Sequence, residues 1–198
     1  DGSHGYSEDV GVLEKLVPIN PYGLSKHLFD RWALREERQP PKWAGLKFFN
    51  VYGPGEYHKA EMRSLVAKAV PQIQKSGSMA LFKSHRTDFA DGMQMRDFIY
   101  IKDVVKVLLC FWECLSGKGL FESGRVYNVG TGKAGSFLDL AQQVFFALDL
   151  EPSLDWIEMP ERLRNQYQYF TEASIVGLRE GLGYDHSFAP LSNLNFCC

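Results

Sequence analysis

Apolar positions first settle into a helical spacing after Asn20-Pro21, where Tyr22, Leu24, Leu28, Phe29, Trp32 and Ala33 recur up to about Arg38. Asn20 has the side chain of an N-cap and Pro21 suits the first helical position. Pro40-Pro41 ends that pattern. The short aromatic and β-branched run Leu46–Tyr52 predicts one buried strand that gives way to a loop at Gly53-Pro54-Gly55. A second helix is predicted from about Ala60, with Met62, Leu65, Val66, Ala69 and Ile73 on one face and Pro71 kinking or shortening it.

Further along, Met79–Phe82 reads as a strand, Lys83–Gln94 as a polar loop and Arg96–Ile101 as another strand. Asp103 opens a strongly apolar helix to about Leu115. The strand Arg125–Val129 runs into the glycine-rich Gly130–Gly135, and a helix from Ser136 to about Leu148 begins with a capping-box pair, Ser136 and Asp139. Leu154–Ile157 predicts a short strand and Thr171–Arg179 a last helix. Alternation of helix and strand without internal repeats predicts an α/β fold.

Composition narrows the classes of function. The 198 residues carry 22 basic and 24 acidic side chains, and 45% are hydrophobic, which is ordinary for one domain or one and a half. With a formal charge of −2 and no run of like charges, neither nucleic acid nor an anionic membrane is an expected partner. The apolar stretch around Val104–Trp112 is broken by Lys106 and Glu113, so no membrane span is predicted. Asp1–Gly5 is polar and unlike a secretory leader. Cys110, Cys114, Cys197 and Cys198 suit neither a disulfide framework nor a zinc site, and a reducing, cytoplasmic location is expected. His4, His27, His85 and His186 have no partners at metal-ligand spacing, so no metal is expected. Phe111, Trp112, Phe137 and Phe145 recur with helical period and read as core, as do Cys110 and Cys114.

Candidate chemistry starts at Tyr22-Gly23-Leu24-Ser25-Lys26, which sets a phenol and an ammonium one helical turn apart on one face. A cation so placed favours the phenolate, the form that trades protons with a substrate hydroxyl. One helix later comes Asn50-Val51-Tyr52-Gly53-Pro54, then Arg96-Asp97-Phe98-Ile99-Tyr100, then Tyr127-Asn128-Val129-Gly130-Thr131-Gly132. In that order the four motifs resemble the extended short-chain dehydrogenase/reductase superfamily of nucleotide-sugar epimerases and dehydratases. The resemblance implies a Rossmann-like fold, here its C-terminal part, with a partial parallel sheet and a smaller α/β substrate-binding domain. It assigns Tyr22 and Lys26 as catalytic, Lys26 holding the nicotinamide ribose and orienting Tyr22, places Tyr22, Lys26 and Val51 at the cofactor, NADP with NAD as an alternative, and implies a homo-oligomer.

Gly53–Met62, Arg96–Phe98 and Tyr167–Thr171 are similar to the branch of that superfamily that inverts C6 of an ADP-linked heptose for lipopolysaccharide core synthesis. That chemistry oxidises a secondary alcohol to a ketone and returns hydride to the other face, so two acid/base groups are wanted. The branch assigns these roles to Tyr22 and Lys59; a lysine serves as a base where burial or a neighbouring cation such as His58 favours its neutral form. By the same resemblance Asn50, Glu61, Lys68, Phe82, Lys83, Ser84, Arg96 and Tyr167 line the ADP-heptose site. Arg96 suits a diphosphate by its charge and fork geometry, against the alternative of a surface partner for Asp97 or Asp103. Glu61 and Lys68 replace the Ser and His of that pattern, and the Lys83–Met95 loop is longer. Other readings are a UDP-sugar 4-epimerase, a dehydratase, or a non-catalytic fragment that binds a sugar nucleotide.

Gly130-x-Gly132-x-x-Gly135 with Asp155 beyond it matches the letters of a dinucleotide fingerprint, but only 68 residues follow Gly130, too few for such a fold to start there. It is read as a turn into a helix. The resemblance implies that residues 1–58 are the end of a dinucleotide-binding unit and 59–184 mostly the substrate-binding unit, with 96–115 returning to the former. Residues 185–198 form an irregular tail, unlike the helix that closes the family's fold. The chain is thus expected to be a C-terminal piece that alone does not bind the cofactor properly.

Overall fold

A computed structural model describes residues 6–192 and Leu194. A short helix, α1 (Val10–Leu13), is capped by the Asp9 carboxylate. It precedes α2 (Pro21–Arg35), where the Asn20 side-chain oxygen accepts the Gly23 N–H at 2.7 Å and Pro21 occupies the first turn. α2 stops short of Arg38 because Glu36 turns extended.

The predicted strand at Leu46–Tyr52 is two strands, β1 (Ala44–Phe48) and β2 (Asn50–Tyr52), because the chain changes partners at Phe49. β1 runs parallel to β5 (Arg125–Val129), whereas β2 runs parallel to the second half of β4 (Met95–Tyr100). Phe49 keeps the first partner, its N–H donating to Val129 O at 3.0 Å. The first half of β4 takes β6 (Ala134–Ser136) antiparallel and β8 (Phe170–Thr171) parallel. A separate parallel pair joins β3 (Met79–Phe82) to β7 (Leu154–Ile157).

The helix predicted from Ala60 starts later, as α3 (Leu65–Ser76), because the Ser64 hydroxyl caps it by accepting the Ala67 N–H. Tyr57–Met62 is instead a 3-10 segment bent at Ala60, whose φ of 47° is left-handed. Pro71 lies inside α3, which continues to Ser76 and closes on Gly77 at φ 74°. α4 (Ile101–Leu115) and α5 (Phe137–Ala147) follow the pattern closely, and Ser136 and Asp139 complete a reciprocal capping box. α6 (Glu161–Arg164) is a single turn.

Thr171–Arg179 is not a helix. Thr171 ends β8 beside Arg96, Glu172 O accepts the Tyr6 N–H, and the Ala173 N–H is taken by Asp97, so these backbone groups serve extended contacts. Helical winding is confined to a π-turn at Gly177–Gly181.

Two apolar cores flank β4, divided by the alternation of a strand. Phe98 and Tyr100 face the core built from α3, β3 and α5, including Ile73, Met79, Leu140 and Phe145. Ile99 faces the core that joins Val107 and Phe111 of α4 to Tyr127 and Val129 of β5 and Leu178 of the π-turn. Cys114 is buried there and Cys110 half-buried. Trp112, expected in the core, is 67% exposed because it lies on the outer stripe of α4 with Leu108 and Leu109. The apolar stripe of α2 is likewise open at Leu24, Leu28, Phe29 and Trp32.

Among the described residues no helix is long and apolar enough to cross a membrane, and no three His, Cys, Asp or Glu side chains cluster for a metal. His4, Cys197 and Cys198 lie outside the described residues.

Candidate functional site

β4 carries Arg96 and Asp97 side by side, and strand alternation sends them to opposite surroundings. The Arg96 guanidinium lies between two aromatic rings, 5.4 Å from the centre of Phe137 and 5.2 Å from that of Tyr167. Its Nη1 donates to the Met95 carbonyl at 2.8 Å. Among the described residues no carboxylate lies within ion-pair distance of it, so it is a partner for neither Asp97 nor Asp103. Burial holds its pKa below the ordinary arginine value. A largely desolvated guanidinium without a counter-charge has the charge and the fork geometry to pair with two phosphate oxygens.

The Arg96 pocket gathers several of the predicted side chains. Tyr167 packs edge-on against Phe82 at 6.3 Å, and burial pushes its phenol up against the opposing pull of Arg96. The neighbouring Lys83 reaches Glu158 at 3.0 Å, and Ser84 Oγ lies 3.2 Å from Tyr169 Oη. Asn50 is exposed and donates to the Asp97 carbonyl at 3.3 Å, which ties β2 to the residue after Arg96.

Two residues outside the predicted set join the pocket. Tyr6 packs edge-on against Phe49 and takes a hydrogen bond from Gln168 at 3.0 Å; burial pushes its phenol up, with the charge of Arg96 opposing. Tyr169 is buried beside Tyr167. Nothing in the spacing of Tyr6 marks it, because strand pairing across the whole chain brings it there; for Tyr169 the alternation Tyr167-Gln168-Tyr169 was a usable sign.

Lys59 lies elsewhere, in the 3-10 segment. This loop folds around the buried Glu56 carboxylate, which accepts from Ser64 N at 2.8 Å and Ser64 Oγ at 2.7 Å. The Lys59 side chain is 47% exposed and 3.8 Å from Glu56. Neither condition expected for a neutral lysine base, burial or an adjacent cation, is met: the near charge is a carboxylate, and His58 is exposed. Glu61 and Lys68, the two residues that depart from the superfamily pattern, face each other at 3.5 Å. Each supplies the other's counter-charge.

On α2 the Tyr22 ring is 71% exposed and the Lys26 ammonium stands 5.4 Å from its centre, as one helical turn allows. Among the described residues no hydrogen bond, ion pair or ring contact joins Tyr22 or Lys26 to the Arg96 pocket. Val51 is half-buried in β2. Exposed hydroxyl and ammonium groups one turn apart have the donor chemistry to take a ribose diol.

The glycine-rich loop after β5 is occupied by the protein itself. The fully buried Asp97 carboxylate accepts from Thr131 N at 2.8 Å, Thr131 Oγ1 at 2.7 Å, Gly132 N at 2.9 Å and Ala173 N at 3.1 Å. A Cβ at Gly130 would stand 2.7 Å from that carboxylate. With its amides committed to an internal anion, the loop does not fit a cofactor diphosphate.

Residues 3–130 match the NAD dependent epimerase/dehydratase family. The chain belongs to that family. Its curated relatives in the family include the ADP-L-glycero-D-manno-heptose-6-epimerase of Nitratidesulfovibrio vulgaris strain DP4, 53% identical over 91% of this chain. The enzyme of that name from Fusobacterium nucleatum is 48% identical over 92% of it. The chain spans about half the length of these relatives, 54% and 55%. Among solved structures, the Helicobacter pylori ADP-L-glycero-D-manno-heptose-6-epimerase superposes with a TM-score of 0.72 at 26% identity, covering 96% of this chain and 53% of the other. The Bacillus cereus UDP-glucuronic acid 4-epimerase, in complex with UDP-glucuronic acid and NAD, shares the fold at a TM-score of 0.67 and 20% identity, over 95% of this chain and 52% of the other. The α/β architecture with parallel strand pairs is therefore that of the extended epimerases, and the family is one that depends on a nicotinamide cofactor.

Proposed function

We propose that this chain forms the substrate-recognition half of an ADP-glycero-manno-heptose 6-epimerase, with Arg96 receiving the diphosphate. The observation that carries this reading is the guanidinium held between Phe137 and Tyr167 with no carboxylate beside it. Phe82, Lys83, Ser84, Asn50 and Tyr167 complete the binding set, and the 48–53% identity to enzymes of that name supports ADP-heptose over a UDP-sugar. Glu61 and Lys68 contribute as a mutually neutralised pair at the rim.

In this reading Lys26 and Tyr22 would hold the ribose of NADP, with NAD as the alternative, and Val51 would flank it; the nicotinamide would supply a reversible hydride acceptor for C6. Tyr22 Oη carries the proton of the substrate hydroxyl on one face, with the Lys26 ammonium 5.4 Å from the centre of its ring. Lys59 is the acid/base group for the other face, and serves as a base only once its side chain leaves solvent and Glu56. The assignment of residues 1–58 to a dinucleotide-binding unit and 59–184 mostly to the substrate unit, with 96–115 returning to the former, draws support from the core that packs α4 against β1 and β2; that core also takes in Tyr127, Val129, Leu178 and Tyr184. The open apolar face of α2 supports a homo-oligomer, and the substrate class supports the cytoplasm.

Calorimetric titration of the chain with ADP-heptose and with UDP-glucose tests the reading. Binding of the first, lost in Arg96→Met and not matched by UDP-glucose, is expected. Preference for UDP-glucose moves the assignment to a UDP-sugar 4-epimerase, and no binding of either sinks it. Catalysis is tested by supplying NADP and a relative's N-terminal half and separating the C6 epimers by chromatography, with Tyr22→Phe expected to abolish product.

A further inference from the structure

We propose that Tyr169 is a positioning residue that clamps the Lys83–Gln94 loop, so that Phe82, Lys83 and Ser84 meet the substrate diphosphate in one fixed conformation. The inference rests on the binding-site reading above and adds a residue that touches no substrate itself. Tyr169 is 5% exposed, and its hydroxyl is spent on the loop. Tyr169 Oη accepts the His85 backbone N–H at 2.9 Å and lies 2.8 Å from His85 Nδ1, to which it has a proton to give. One hydroxyl thus grips both the backbone and the side chain of His85. Ser84 Oγ adds a third contact at 3.2 Å, sharing its proton between Tyr169 Oη and the Arg86 carbonyl.

The ring works with the hydroxyl. It packs against Phe89 at 4.9 Å and His85 at 5.2 Å, and the Arg86 guanidinium, held by Asp88, lies 5.1 Å from its centre. On its other side Tyr167 is 5.6 Å away, and Tyr167 is the ring that touches both Arg96 and Phe82. Tyr169 O also accepts the Met95 N–H at 2.8 Å, at the far end of the loop, just before Arg96. One residue therefore fixes both ends of a polar, largely exposed loop relative to the guanidinium. Without it the loop would have to be ordered at the moment of binding, at a cost in conformational entropy.

Tyr169→Phe keeps the ring and removes only the hydroxyl. Amide hydrogen exchange in peptides covering residues 83–95 is expected to speed by about three- to tenfold, and affinity for ADP measured by calorimetry to fall by about the same factor. Exchange in α3 and α5 should not change. In a His85→Ala background the same substitution should cost less, because half of the clamp is already gone. Faster loop exchange with unchanged ADP affinity would reduce Tyr169 to a structural residue and overturn the proposal, as would unchanged exchange or acceleration spread evenly over the chain. Failure of the unsubstituted chain to bind ADP is a different result: it overturns the binding-site reading, and the role in binding with it.

Discussion

The Arg96 pocket and the Tyr22–Lys26 pair are built in opposite ways. The pocket draws side chains from β3, β4, α5 and the segment before β8, and every ring in it is packed against another. The pair sits on one helix, is set by local geometry, and stands open to solvent. Tertiary structure within these residues fixes a desolvated guanidinium between two rings, while the phenol and ammonium of the pair are set only in spacing. Proton transfer gains from a water-excluded enclosure, which the described residues do not place around Tyr22.

The strongest way to break the contrast is to dissolve the pocket's foundation. Asp97 accepts four hydrogen bonds in a fully buried site and ties β4, the loop after β5 and the segment after β8 together. Asp97→Ala strands those donors and should cost about 3–5 kcal/mol in urea unfolding, enough to take much of the folded population with it. A loss below about 1 kcal/mol would mean that water replaces the carboxylate and that the pocket is less braced than its geometry implies.

Arg96→Met separates recognition from stability. Removing charged hydrogen bonds to a diphosphate should weaken ADP binding by about 10- to 100-fold. The same change removes a desolvated cation with no internal counter-charge, so stability should hold or rise. A substantial fall in stability would show that Arg96 is a structural group, and the anion-receptor assignment would fail.

The chain pattern disclosed most elements because local rules wrote them: Asn20 and Pro21 started α2, and Ser136 with Asp139 started α5. It misplaced the elements decided by distant partners. The break at Phe49 depends on β4 and β5, and the missing helix after Thr171 depends on Arg96 and Asp97 taking its backbone groups. Trp112 shows the limit of periodicity, since α4 carries two apolar stripes and only one meets a core. In the site, Arg96 and Tyr167 were legible through resemblance, whereas Tyr6 was invisible: nothing local says that a tyrosine 90 residues ahead of Arg96 ends up beside it.

Alkaline titration probes the packed region alone. Burial, reinforced by the Asp103 carboxylate, pushes the Tyr52 phenol up to about 12, and burial does the same for Tyr127, from an ordinary value of 10.0. The unfolded chain therefore gives up these protons first. Their contribution to stability is complete below about pH 10 and is lost as the pH rises toward about 12, on the order of 2 kcal/mol for the buried Tyr52. Tyr52→Phe should flatten the fall in denaturation midpoint between those limits; an unchanged slope would place the phenol in contact with water.

The smallest effect is expected on the open side of the comparison. Trp32 is a large aromatic on α2, the kind of residue whose loss from a core costs 3–5 kcal/mol, yet it is 57% exposed and its ring contact is with Phe29 on the same helix. Trp32→Gln should therefore shift the unfolding free energy by less than about 0.5 kcal/mol and leave ADP affinity unchanged. If α2 were instead anchored through this face, the substitution would behave like a core deletion, and the description of the Tyr22–Lys26 helix as locally set and openly placed would be wrong. The decisive measurement is urea unfolding of the two chains side by side, because an equal midpoint and an equal slope together exclude a change in either the folded contacts or the surface exposed on unfolding.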